Sequence, residues 1–214
     1  MQLSMPPNLM RCSANSKGFW PCQPNRPGQS ALLNTKVEVT QIKQHAHGKF
    51  IVYPLERSVA LVRSVIEGME SHSWVHLACH TVQIHVEPTK SAFCLHDGHL
   101  ELSTIIMKQF SHADFAFLSA CQTATRDEKE AVHLAVGLLL AGYCGVIATM
   151  WSIKDEDAPV IMNHVYSKFF SDIESDSRKA ALALHHATKC LCEVKGDKGD
   201  FAYPSWVPFI HVGV

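Results

Sequence analysis

Two residues in this sequence have the types that nucleophilic catalysis needs. Cys121 closes the run Phe-Ala-Phe-Leu-Ser-Ala-Cys at 115–121, and His80 closes Trp-Val-His-Leu-Ala-Cys-His at 74–80. A thiol becomes an effective nucleophile when a neighbouring imidazole takes its proton or stabilises the thiolate. Cys121 follows the unbroken apolar run 115–118, which suits a strand buried on both faces of a parallel sheet, and His80 ends a second short strand-like run. In open parallel sheets, ligands and chemistry gather at the carboxyl ends of the strands. The two positions lie 41 residues apart, enough for a crossover between neighbouring parallel strands.

Other candidates are weighed against these two. Cys79 would point to the face opposite His80 and reads as core. His76 shares the parity of His80 but lies about 13 Å away along an extended chain, and reads as structural. His133, in an apolar helix, reads as a satisfied core or supporting group. Ser119 and Gln122 flank Cys121 and are expected to line the cleft, the alternative being turn chemistry. Asp155 and Asp157 have the ordinary reading of helix-capping acids.

The elements that must position these residues alternate between strand and helix. Thr35 to Ala46 carries a helical pattern with Val39, Ile42 and Ala46 on one side. Residues 50–53 form a strand stopped by Pro54. Ser58 is expected to cap a helix through Glu70, with Val62, Val65, Ile66 and Met69 at the 3.6-residue period. After the strand at 74–80 the chain reads as irregular to Lys90. A hairpin follows, with Asp97-Gly98 as a two-residue turn. Ser103 is expected to cap a short helix before the strand that leads to Cys121. Residues 126–130 form a solvated charge cluster, and 131–141 a helix apolar nearly all round, stopped by Gly142. A strand at 145–150, a helix begun by Asp155–Pro159, a helix over 177–191 and a strand at 206–212 complete the order. Residues 1–30, rich in proline, read as an irregular N-terminal segment, with Phe19 and Trp20 able to pack an edge. The expected fold is a three-layer α/β domain over 31–214 with a mainly parallel central sheet and an inserted hairpin.

Composition removes several function classes. The 214 residues carry a net charge of −1, which gives no electrostatic reason for a nucleic acid or membrane partner. No apolar run reaches the ~18 residues of a membrane span. The N-terminus has no apolar signal region, so an intracellular, cytoplasmic setting with free thiols is expected for the 8 cysteines. No Cys-x-x-Cys pair occurs, so the spacing expected of structural zinc is missing; no cofactor is expected. No Gly-x-Ser-x-Gly elbow points to an esterase.

Four blocks then fall in one order: His-Leu-Ala-Cys-His at 76–80, Leu-Ser-Ala-Cys-Gln-Thr-Ala at 118–124, Ala-Val-His-Leu-Ala at 131–135 and Gly-Val-Ile-Ala-Thr-Met-Trp-Ser-Ile at 145–153. Together they resemble a CHAT domain, the caspase-like peptidase domain often attached to tetratricopeptide repeats, in its fungal wording. The likeness covers roughly 30–213. It implies a caspase–haemoglobinase fold and a cysteine peptidase acting on protein or peptide substrates without a metal. His80 and Cys121 match the dyad. Backbone N–H groups of Thr81 and Cys121 match the oxyanion donors, and Thr81 stands where the family usually has glycine. Asp155 matches an acid that, in the related separases, helps recognise a basic P1 side chain. Arg126 stands where the family tends to have glycine, and the loop after Thr125 is shorter. The competing reading is a catalytically impaired caspase-like module that binds or regulates partners, among them tetratricopeptide-repeat regions.

Overall fold

The computed structural model describes residues 17–23, 34–46, 51–84, 86–119, 131–150, 153, 156–171, 177–195 and 207–214. Its centre is a six-stranded sheet made by β1 (Lys17–Gln23), β2 (Ile51–Glu56), β3 (Trp74–Cys79), β7 (Phe115–Leu118), β8 (Gly145–Thr149) and β9 (Phe209–Gly213), in the order β2-β1-β3-β7-β8-β9. All neighbours are parallel except β8 and β9. A second, three-stranded antiparallel sheet, β4 (Thr81–Val82), β5 (Ala92–Cys94) and β6 (His99–Glu101), is inserted between β3 and β7. This is the mainly parallel α/β architecture with an added hairpin that the alternation of patterns implies.

Helices α2 (Val62–Ser71), α3 (Leu102–Lys108) and α4 (Ala131–Leu140) cover one face of the large sheet. Helices α1 (Thr35–Ala46), α5 (Ala158–Phe169) and α6 (Ala180–Lys195) cover the other. The strands divide their side chains accordingly. In β7, Ala116 and Leu118 join Val65, Met69 and Leu138, while Phe115 and Phe117 join Ile42, Tyr166 and Ala187. Both faces are buried, which is why the run shows no polar alternation.

The structure departs from expectation at the N-terminal segment. Lys17–Gln23 is a strand, and it lies inside the sheet between β2 and β3, not at its edge. Pro21 and the flanking prolines suggested irregular chain, but Phe19 and Trp20 are buried on opposite faces and supply the reason to order it. Pro54 does not stop β2, which continues to Glu56. In the strand order β2 stands at one end of the sheet, the position where proline is tolerated in a strand.

Helix α2 shows how β1 is held. Its Gly68 packs so closely on Phe19 that an added Cβ would lie 2.2 Å from the ring. Gly68→Ala is therefore expected to destabilise the fold by about 1–3 kcal/mol through overpacking, read as a lower urea midpoint with unchanged m-value.

Local caps also differ from the sequence reading. Val62 N donates to Asp97 Oδ1 at 2.8 Å, so the first turn of α2 is capped from the hairpin and not by Ser58. Leu95 N donates to Gly98 O, which centres the turn on His96 and Asp97, one residue earlier than the Asp-Gly signal suggests. Ser103 donates to Glu101 and does not cap α3, and residues 81–82, expected to be irregular, form β4. Helix α4 is not buried all round: His133, Val136 and Leu140 face outward, which removes the core role expected of His133. Gly142, at φ +116°, ends that segment as expected.

Candidate active site

Strands β3 and β7 lie side by side at the centre of the sheet, with Leu77 opposite Leu118. His80 follows Leu77 by three residues, and Cys121 follows Leu118 by three. His80 lies just past the carboxyl end of β3 and is 2 % exposed. Its carbonyl accepts a hydrogen bond from Cys94 N at 2.8 Å, which ties the end of β3 to the inserted sheet. Cys121, Gln122 and Asp155 lie outside the described residues, as does the charge cluster at 126–130.

Thr81 begins β4, the outer strand of the small sheet, and pairs with Phe93. Because Cys94 donates to His80 O, the Thr81–Phe93 rung is of the non-hydrogen-bonded kind. The Thr81 N–H therefore points away from β5. Among described residues other than glycine, only Gln109 has a positive φ, so threonine is accommodated at position 81 without left-handed strain. Its side chain is buried, and Oγ1 has no partner among the described residues.

Below this rim lies a polar cluster that the sequence reading missed. Glu38 of α1 is buried, and its Oε2 accepts from Ser119 Oγ at 2.8 Å and from His76 Nε2 at 2.9 Å. His76 Nδ1 lies 3.2 Å from the Tyr166 hydroxyl, and the ring stacks on Phe117 at 4.9 Å between centroids. In the neutral ring, a proton on Nε2 donates to Glu38 while Nδ1 accepts from Tyr166 O–H. Burial pushes the Tyr166 phenol well above its ordinary pKa, so it remains a hydroxyl. His76 is thus structural, as expected. Ser119, expected beside a substrate, is 1 % exposed and directs its hydroxyl to Glu38. A signal was available: Glu38 is an acid one turn before Ile42, inside the apolar stripe of α1, and an acid there needs a buried partner.

Together, Glu38, His76 and Ser119 join α1 to β3 four residues before His80 and to β7 two residues before Cys121. The cluster therefore braces the approaches to both strand ends. At the carboxyl end of β8, on the same face, Thr149 is fully buried, and its Oγ1 also lacks a partner among the described residues. Asp157, directly before α5, is fully buried as well, and Pro159 occupies the first turn of that helix as expected. Cys79 packs in the α2–α4 core, on the face opposite His76.

The family model for the CHAT domain matches residues 19–214. The chain belongs to the CHAT domain family. The fold recurs among solved structures. A complex of the pro- and mature domains of Porphyromonas gingivalis RgpB is 10% identical, with TM-score 0.58, covering 92% of this chain and 47% of that one. The Arg-specific cysteine proteinase gingipain R is 9% identical, with TM-score 0.55, covering 96% of this chain and 50% of that one. This CHAT domain therefore spans about half the length of each. Its architecture is that of the caspase-like cysteine peptidases. A search of curated protein sequences found no match. No helix among the described residues is long and apolar enough to cross a membrane.

His211 of β9 lies opposite Ile147, and burial lowers its pKa below the ordinary value near 6.5. The folded state then binds fewer protons than the unfolded one as pH falls through about 6.5, so stability declines there. The loss levels off once pH passes below the depressed folded value. Urea unfolding between neutral and mildly acidic pH is expected to show this decline, and His211→Gln to flatten it.

Proposed function

We propose that this CHAT domain is a cysteine endopeptidase acting on protein or peptide substrates through His80 and Cys121. The observation that carries the reading is the register of β3 against β7. Neighbouring strands lie about 4.8 Å apart, and each dyad residue follows its strand's Leu77–Leu118 rung by the same three positions. His80 would hold Cys121 as thiolate or take its proton. The sulfur would attack the peptide carbonyl, and His80 would return a proton to the leaving amine. The Thr81 N–H, turned away from the hairpin ladder, and the Cys121 N–H would hold the oxyanion, each worth roughly 3–4 kcal/mol. Asp155 would receive a basic P1 side chain, with Gln122 beside the nucleophile. One of the similar solved structures carries arginine specificity in its name, which agrees with that preference.

The second reading, a module that binds or regulates partners without cutting, is favoured by one feature. Thr81 places a buried side chain, whose hydroxyl has no partner among the described residues, where the family usually has glycine. Tetratricopeptide-repeat regions are partners to be tested under either reading, and an intracellular setting would suit both. The deciding experiment is labelling with a thiol-reactive peptide bearing arginine or alanine at P1. A labelled active protein with P1-arginine preference supports the peptidase. A folded protein that neither labels nor cleaves a peptide library favours the module.

A further inference from the structure

We propose that His164, His186 and Cys190, at the seam between α5 and α6, bind a single Zn2+ ion. His186 and Cys190 sit one turn apart on α6, so both project to the same side of that helix. His164 comes from α5, and the donor atoms of all three lie within 4.8 Å of one another. His186 Nδ1 and Cys190 Sγ are already 3.7 Å apart. In a tetrahedral zinc centre, with Zn–N about 2.0–2.1 Å and Zn–S about 2.3 Å, a nitrogen and a sulfur ligand stand about 3.6 Å apart. That pair therefore has the required spacing. The third donor closes in by side-chain rotation, which the exposed His186 and half-buried His164 allow.

The donor types select the metal. Two imidazoles and one thiolate suit borderline Zn2+, whereas Ca2+ and Mg2+ require oxygen donors, and the cluster contains no carboxylate. His45 of α1, hydrogen-bonded to Asn163 Oδ1 at 2.7 Å, stands beside the group. On binding, Cys190 gives up its thiol proton to solvent as the Zn–S bond forms. Three protein ligands leave a fourth position for water or for a donor from another molecule. The bound ion would clamp α5 to α6, and α5 follows directly on the segment that carries Asp155 and Asp157.

The test is titration of the full chain with Co2+, then displacement by Zn2+. We expect one equivalent to give the thiolate-to-cobalt charge-transfer band and the intense visible bands of a tetrahedral centre. A saturating hundredfold excess of Zn2+ over Kd should raise Tm by about 5–10 °C. His164→Ala, His186→Ala and Cys190→Ala should each weaken binding at least about a hundredfold. Cys192→Ala and His185→Ala should leave it unchanged. The same titration in Cys121→Ala separates this thiolate from the proposed nucleophile. A spectrum without thiolate charge transfer, one that survives Cys190→Ala, or one that disappears only with Cys121→Ala overturns the proposal. All three ligand positions are at least partly exposed, and circular dichroism of each variant checks that lost binding is not lost folding.

Discussion

Cys121→Ala is expected to lower kcat/KM for peptide cleavage by at least about ten-thousand-fold and to abolish labelling by a thiol-reactive peptide. No other atom at that position can form the thioester, so the effect approaches the whole of the chemical step. His80→Ala removes the group proposed to activate the sulfur and to protonate the leaving amine. A loss of about a hundred- to ten-thousand-fold is expected, chiefly in kcat. Because His80 is buried at the end of β3, its replacement also risks the fold, so Tm and labelling must be measured together. A folded His80→Ala protein that labels slowly separates activation from architecture. Two further results discriminate between the readings. Under the proposal, Asp155→Ala should raise KM for P1-arginine substrates more than it lowers kcat, because the role proposed for it is a binding contact rather than proton transfer. Cleavage that persists in Cys121→Ala would end the peptidase proposal while leaving the CHAT fold untouched.

What could be read from the chain follows the physics of each signal. Strand β7 was legible because burial on both faces writes an unbroken apolar run into the sequence, and β3 and β8 because their runs are apolar apart from His76 in one and the terminal Thr149 in the other. Helix α1 was legible from its period, to the residue. Strand β1 was not, because Pro21 and its neighbours carry a strong local signal for irregular chain, whereas the packing of Phe19 beneath Gly68 is a tertiary fact. The cap of α2 was assigned to Ser58, the nearest hydroxyl, but Asp97 serves it from 35 residues away. Sequence proximity cannot show such a partner. The candidate site divides in the same way. His80 is where the strand pattern places it, at the sheet's carboxyl rim. The Glu38 cluster was missed because a buried acid in a helical stripe announces a partner without naming it. The His164, His186 and Cys190 group was not legible because a histidine and a cysteine one helical turn apart are a weak signal alone, and the third donor comes from another helix.

The Glu38 cluster gives the largest expected effect on stability. Glu38 accepts two hydrogen bonds in the interior, from His76 and Ser119, and its side chain is 3% exposed. Glu38→Ala would leave the His76 Nε2 and the Ser119 hydroxyl without their acceptor, and would open a void between α1 and the sheet. Each buried donor left without its acceptor costs about 1–3 kcal/mol because it remains desolvated, so the two together cost about 2–6 kcal/mol. A loss of about that size in the urea unfolding free energy is expected, a large share of a typical domain's ~5–15 kcal/mol. Glu38→Gln keeps the volume and one acceptor oxygen, so it should recover a good part of the loss. Activity provides a second readout that a merely structural group would not move. Glu38 braces β3 and β7 just before His80 and Cys121, so Glu38→Gln, assayed well below its Tm, should lower kcat several-fold with KM little changed. Were Glu38→Gln to match the native protein in both kcat and stability, the brace would be packing alone, and the spacing of the two strand ends would have to be set by the inserted sheet that holds the His80 carbonyl.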